Sequence, residues 1–110
     1  MSGFCENQIT LLGYIVLKPE QISSDPIGVR TRMVTNEVYY SKKFKQLTTQ
    51  SEYHNLKLWN KNAEFALNNL KVSNKVYIIG KLHYNEVQTE DKKLIKIPEI
   101  IVLKLIKLHK

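Results

Sequence analysis

The sequence predicts a small all-β barrel of five strands, with one α-helix between the third and the fourth. Three observations carry that prediction. Segments rich in β-branched and aromatic residues recur between polar breaks. A single segment, Lys61–Lys71, switches from the two-residue period of a strand to the 3.6-residue period of a helix. At 110 residues, with 43% apolar and 25% charged side chains, the chain has the size and composition of one globular domain, residues 1–110.

Asn7–Lys18 is the first predicted strand. Its apolar residues fall on both faces, Leu12, Tyr14 and Val16 opposite Ile9, Leu11 and Ile15. A strand apolar on both faces is buried on both. In a small barrel the outer side must then meet a neighbour, so Leu12, Tyr14 and Val16 are expected at a subunit interface. Pro19–Gly28 holds two prolines, a glycine and two serines, and reads as a loop. Val29–Tyr40 is the second strand. Ser41–Ser51 is polar and cationic, and reads as a hairpin loop. Glu52–Asn60 alternates cleanly as the third strand, with His54, Leu56 and Leu58 on one face and Tyr53, Asn55, Lys57 and Trp59 on the other.

In Lys61–Lys71, Ala63, Ala66, Leu67 and Leu70 line one helical face, with Asn60 or Asn62 as the candidate cap. Val72–Asn74 breaks the helix. Lys75–Tyr84 is the fourth strand, where Gly80 predicts a bulge or a close backbone approach. Asn85–Lys92 reads as a second polar loop. Lys93–Leu108 is the last strand, and Pro98 places a bulge or an edge within it. Three strands, a helix and two strands is the order of an OB-fold, a Greek-key barrel. Another small β-barrel with a decorating helix has the same order.

Composition excludes several classes. No apolar run approaches the ~18 residues of a membrane span, and no membrane partner is expected. The single Cys5 cannot close an internal disulfide. His83 and His109 have no Cys or carboxylate at metal spacing, and no nucleophile, base and acid assemble convincingly. No metal, cofactor, catalytic residue or small-molecule substrate is therefore expected.

Charge points elsewhere. Seventeen Lys and Arg against ten Asp and Glu give a net +7. Residues 56–110 hold eleven of those cations and five acids, hence +6. Such an excess favours polyanions, although solubility alone would also use it. Fifteen of the cations are Lys and two are Arg, which fits phosphate contact better than base-edge reading.

Residues 39–59 hold Tyr39, Tyr40, Phe44, Tyr53 and Trp59, half of the ten aromatics. They also hold Lys42, Lys43, Lys45 and Lys57 and one acid, Glu52. Aromatics interleaved with lysines offer platforms for bases and cations for phosphates. Core aromatics beside a solvated loop would give the same pattern. Arg30 and Arg32 extend the cationic track or lie on a solvated strand. Lys92, Lys93 and Lys96 line a second phosphate-contacting loop or are solvated.

These segments resemble the single-stranded DNA-binding proteins of bacterial and mitochondrial type. Asn7–Gly13 (NQITLLG) resembles the family's first strand, Met33–Tyr39 (MVTNEVY) its second and Ser51–Trp59 (SEYHNLKLW) its third. Ala63–Leu70 is similar to its helix and Val76–Leu82 (VYIIGKL) to its fourth strand. The resemblance implies an OB-fold homotetramer that wraps single-stranded DNA in replication, recombination and repair. It implies base stacking at Tyr39, Tyr53 and Trp59, a subunit-interface role for His54, and basic DNA contacts at Lys61 and Lys71. Tyr84 matches an aromatic seen after the fourth strand in mitochondrial members.

Departures from the pattern are Val87 in place of an aromatic, Asn55 in place of an Arg, Ile79 in place of a Glu, and Val72–Asn74 in place of a Lys-Gly turn. The sequence stops at Lys110 without the acidic tail of most bacterial members, so the mitochondrial matrix nucleoid is expected over a bacterial cytoplasm. Rivals to this reading are a dimeric primosomal-type accessory protein, an RNA-binding OB domain and a protein-interaction module.

Overall fold

A computed structural model describes residues 3–109. Five strands and one helix follow in the order β1 (Ile9–Ser24), β2 (Ile27–Ser41), β3 (Gln46–Trp59), α1 (Lys61–Asn69), β4 (Lys75–Gln88) and β5 (Leu94–Leu108). The strands close into a barrel in the order β1-β2-β3-β5-β4. Closure joins β4 back to β1, and among the described residues the one parallel pairing is β3 with β5. This is the expected OB-fold, with its helix between the third and fourth strands.

The core is where the alternation placed it. Ile15, Val29, Met33, Leu58, Val76 and Ile78 are fully buried inside the barrel. The helix closes one end, with Ala63, Ala66 and Leu70 buried against the strands. Two alanines on this face let its backbone approach closely, while Leu67 stays partly exposed. Asn60 begins the helix with a positive φ of 57° and no side-chain cap. Asn62 does not cap either. Its amide donates to the Val102 and Leu103 carbonyls and so pins the helix to β5.

Three segments expected as loops are mostly strand. Within Pro19–Gly28, β1 runs on to Ser24, and only Asp25–Pro26 turns. Three register shifts accommodate it, at Val16, at Lys18–Pro19 opposite Thr31, and at Ile22. Pro19 needs no ladder partner at the second shift, and the buried Thr31 hydroxyl donates to the Leu17 carbonyl there. Within Ser41–Ser51, only residues 42–45 turn, and Gln46–Ser51 pairs with Asn36–Ser41. Within Asn85–Lys92, the strand continues to Gln88. These polar stretches are strand because they extend the hairpins beyond the buried core and pair across them.

Gly80 satisfies both expectations made for it. The β4–β5 register shifts beside it, and a Cβ there would lie 2.5 Å from the Ile101 carbonyl oxygen. Pro98 pairs with Tyr84 in unbroken register, while β3 pairs with β5 only at Ile100 and Ile101. Pro98 therefore occupies the open side of a locally exposed edge, where a missing N–H costs nothing.

Candidate nucleic-acid interface

The β2–β3 hairpin pairs without interruption from Gly28–Trp59 to Ser41–Gln46. Side chains on directly opposed residues share a face. One face carries Val29, Leu58, Thr31, Leu56, Met33 and His54 into the barrel. The other carries the cross-strand pairs Gly28–Trp59, Arg30–Lys57, Arg32–Asn55, Val34–Tyr53 and Tyr40–Leu47 outward. Tyr40, Tyr53 and Trp59 therefore lie on one face, about 20 Å apart along the strand at ~3.4 Å per residue. Tyr39 pairs with Thr48 on the opposite face. The structure thus groups Tyr40, rather than Tyr39, with the other two.

Each platform is held differently. Tyr53 is 58% exposed, and the Arg32 guanidinium lies 5.4 Å from its ring centroid. That contact orients the ring without covering it. Trp59 is half-buried and lies across Gly28, close enough that a Cβ on Gly28 would come within 2.6 Å of its ring. The glycine acts as a seat for the ring. At the hairpin tip, Lys42, Lys43, Phe44 and Lys45 are all exposed. The Phe44 amide donates to Ser41 Oγ at 3.2 Å, and Lys43 Nζ lies 5.4 Å from the Phe44 ring centroid.

The β4–β5 hairpin projects from the same end of the barrel, because β5 runs parallel to β3. Its turn carries Lys92, at a φ of 62°, and Lys93, both exposed. Between the two hairpins and the bulged end of β1, at Leu17, Glu20 and Ile22, lies a groove of about 650 Å³. Arg30, Arg32, Asn55 and Lys57 line one wall, and Asn85, Val87, Ile97 and Glu99 the other. Tyr84 is exposed on the opposite face of β4 from Val87. Lys61 and Lys71 are exposed at the two ends of the helix.

Two of the groove cations are already partnered. Arg30 contacts Glu20 at 2.9 Å on the surface, and Lys57 contacts Glu99 at 3.0 Å in a largely buried pair. His83 Nε2 lies 3.9 Å from the same Glu99 oxygen. Neither carboxylate was expected from the sequence. Glu99 had a signal: it is the one acid in Lys93–Leu108, and a lone acid in an apolar strand is rarely buried without a partner.

Of the expected interface residues, Leu12 and Tyr14 stand on the outer face of β1, 50% and 37% exposed. Val16 is instead the unpaired, half-buried residue of the first bulge. His54 points into the barrel mouth, with Nε2 2.9 Å from Thr35 Oγ1. Burial lowers its pKa from 6.5, and the nearby Glu52 opposes the shift. Asn7, before β1, donates to the Leu82 carbonyl and accepts from the Leu82 amide, which extends the sheet by side chain. Among the described residues, no three His, Cys, Asp or Glu side chains cluster to hold a metal ion.

A model of the single-strand binding protein family matches residues 6–108. A solved Plasmodium falciparum SSB in complex with ssDNA is similar over 99% of this chain and 100% of its own, at 22% identity and a TM-score of 0.86. A small single-stranded DNA-binding protein from Streptomyces coelicolor matches over 94% of this chain and 95% of its own, at 18% identity and a TM-score of 0.73. A deletion mutant of the single-stranded DNA-binding protein from Thermus aquaticus matches over 94% of this chain and 51% of its own, at 16% identity and a TM-score of 0.78. At these identities the structural likenesses establish the fold. A search of curated proteins finds no match.

Proposed function

The chain belongs to the single-strand binding protein family, and from that premise we propose that it binds single-stranded DNA with little sequence preference. The observation that carries the reading is the outer face of β2–β3, where Tyr40, Tyr53 and Trp59 stand in one unbroken register. Tyr53 and Tyr40 are more than half exposed and contribute nothing to the core. Bases stack on these rings, each worth ~1–3 kcal/mol regardless of sequence. Lys42, Lys43 and Lys45 at the tip meet phosphates, as do Lys92 and Lys93 on the second hairpin. Binding of this kind is non-enzymatic and serves replication, recombination and repair.

The active form is a homotetramer. Support comes from the outer face of β1 and β4, where Leu12 pairs with Tyr77 and lies diagonal to Ile79, Ile106 of β5 pairs with Tyr77, and the Lys75 ammonium lies 5.8 Å from the centroid of its partner Tyr14. Leu12, Tyr14 and Ile106 are all exposed apolar residues on that sheet, and such a patch marks an interaction surface.

Titration with oligo-dT tests the proposal. The sole tryptophan, Trp59, should be quenched strongly, and affinity should fall as salt rises. Tighter binding to a matched RNA would favour an RNA-binding OB domain. No quenching at any DNA concentration would refute base stacking at Trp59.

A further inference from the structure

On the outer face of β2–β3, three cations stand between Trp59 and Tyr53: Arg30, Lys57 and Arg32. A strand stacked on both rings carries its phosphates past them, yet each cation already has a partner. Arg32 lies over the Tyr53 ring. Arg30 and Lys57 are directly opposed in the register, where like charges repel. A carboxylate relieves each from its other side. Glu20 of β1 lies 2.9 Å from Arg30, and Glu99 of β5 lies 3.0 Å from Lys57. The four form one row across four strands, carboxylate, cation, cation, carboxylate, with no net charge. The bulge in β1 places Glu20 in this row. Leu17 pairs with Arg32 and Glu20 with Arg30, three residues against two. Without the extra residue Pro19 would face Arg30 instead of a carboxylate.

The two ion pairs differ in how readily they open. The Lys57 and Glu99 side chains are only 19% and 10% exposed. Glu99 Oε1 is shut off from water and receives no aligned hydrogen bond from the described residues. His83 Nε2, at 3.9 Å, is beyond hydrogen-bond distance. Drawing Lys57 away to a phosphate would leave a buried carboxylate uncompensated, which is strongly destabilising. The Arg30 and Glu20 side chains are 62% and 60% exposed. Water solvates both when they part, and a pair of this kind holds weakly. A phosphate offers the guanidinium the same charge-assisted contact as a carboxylate, through the same fork of donors.

Resting on the single-stranded DNA reading above, we propose that Glu20 is an internal competitor of the DNA phosphate for Arg30, and so limits affinity. Arg30 exchanges Glu20 for a phosphate as DNA binds, while Lys57 stays with Glu99. Lys57, expected from the sequence as a DNA contact, is then a structural cation, and Arg30 is the phosphate contact of the groove. The exchange weakens binding without removing a contact, so the strand is released more readily than from an unpartnered arginine.

The test is a double-mutant cycle on the full chain, with oligo-dT of about 16 nucleotides and Trp59 fluorescence reporting affinity. Salt is held at about 0.15 M, where a Debye length of ~8 Å screens distant charges. Glu20→Gln should tighten binding about two- to fivefold, the range that one exposed ion pair is worth. Arg30→Gln should weaken binding and lower the salt slope by ~0.7, the loss of one phosphate contact. Added to Arg30→Gln, Glu20→Gln should tighten binding less than about 1.5-fold, because no cation remains to compete for. Lys57→Gln should lower Tm more than Arg30→Gln does and the salt slope less. Equal tightening by Glu20→Gln in both backgrounds, or none in either, overturns the competition and leaves the DNA-binding reading intact. A salt slope lowered as much by Lys57→Gln as by Arg30→Gln overturns the hold of Glu99 on Lys57. The Glu20 and Arg30 variants alter exposed side chains, so the cycle stands even where Lys57→Gln fails to fold. Failure of the native chain to bind oligo-dT overturns both proposals together.

Discussion

Gly28→Ala probes the seat of the Trp59 ring without touching the ring itself. A Cβ on residue 28 would lie 2.6, 2.9 and 3.1 Å from Cζ3, Cε3 and Cη2 of Trp59, against an ordinary contact of 3.4–4 Å. The near ring edge must therefore lift by about 1 Å, a rotation of roughly 15° about the side-chain torsions. Departures of ~30° from a rotamer cost of order 0.5–1.5 kcal/mol, so this one costs less than about 1 kcal/mol. For a domain of this size that lowers Tm by several degrees at most, since ~1 kcal/mol corresponds to about 4–8 °C.

Binding should suffer more than folding. If the seated ring is a base platform, tilting it forfeits part of the ~1–3 kcal/mol of one stacked base. Gly80→Ala is the control. There the obstacle is the Ile101 carbonyl oxygen at 2.5 Å, and backbone cannot swing aside as a half-buried ring can. It should cost ~2–3 kcal/mol of stability. Thermal melts and oligo-dT titration of Trp59 emission measure both quantities. Unchanged emission and affinity in Gly28→Ala would refute the seating. A stability loss as large as that of Gly80→Ala would show the ring to be wedged in the core.

Replacing Lys42, Lys43 and Lys45 together by Ala should reduce the salt slope of oligo-dT binding by ~0.7 for each phosphate the tip no longer neutralises; an unchanged slope would take the hairpin tip off the DNA path. Leu12→Glu places a charge in the exposed apolar face of β1, so native mass should fall to a smaller assembly with far-UV circular dichroism preserved, and an unaltered mass would exclude that face from the interface. Because burial lowers the His54 pKa below 6.5, the unfolded chain takes up that proton first as pH falls. Its stabilising effect is complete above pH 6.5 and is lost as pH drops through the lowered folded value. Tm should decline over that window and decline less in His54→Gln; parallel profiles would remove His54 as the cause.

Much of the site was legible because alternation depends on nearest neighbours only. Leu56 and Leu58 against Tyr53 and Trp59 could be read from a short stretch of β3, since a strand with one face in a core must alternate. The helix was legible for the same reason, its alanines recurring at the period of the turn that buries them. The hairpin arms were not. Gln46–Ser51 and Asn85–Gln88 leave the core, and apart from Leu47 and Val87 they are polar, so no hydrophobic period marks them as strand. Only the partner strand across the hairpin makes them so.

Register decided the rest. Whether Tyr39 or Tyr40 joins Tyr53 depends on an unbroken pairing over the full hairpin, and in a two-residue period one step exchanges the faces. The bulge at Val16 did exchange them, which moved that residue out of the face of Leu12 and Tyr14. The carboxylates beside Arg30 and Lys57 were beyond sequence reading for another reason. Glu99 reaches Lys57 only because β5 closes the barrel against β3, a contact between segments far apart in the chain. The sequence by itself determined the element types, their order, the core and the basic, aromatic character of one surface, because these follow from local period and composition. Tertiary structure alone decided which aromatics share a face and which cations are already paired, because both depend on distant strands meeting in one register.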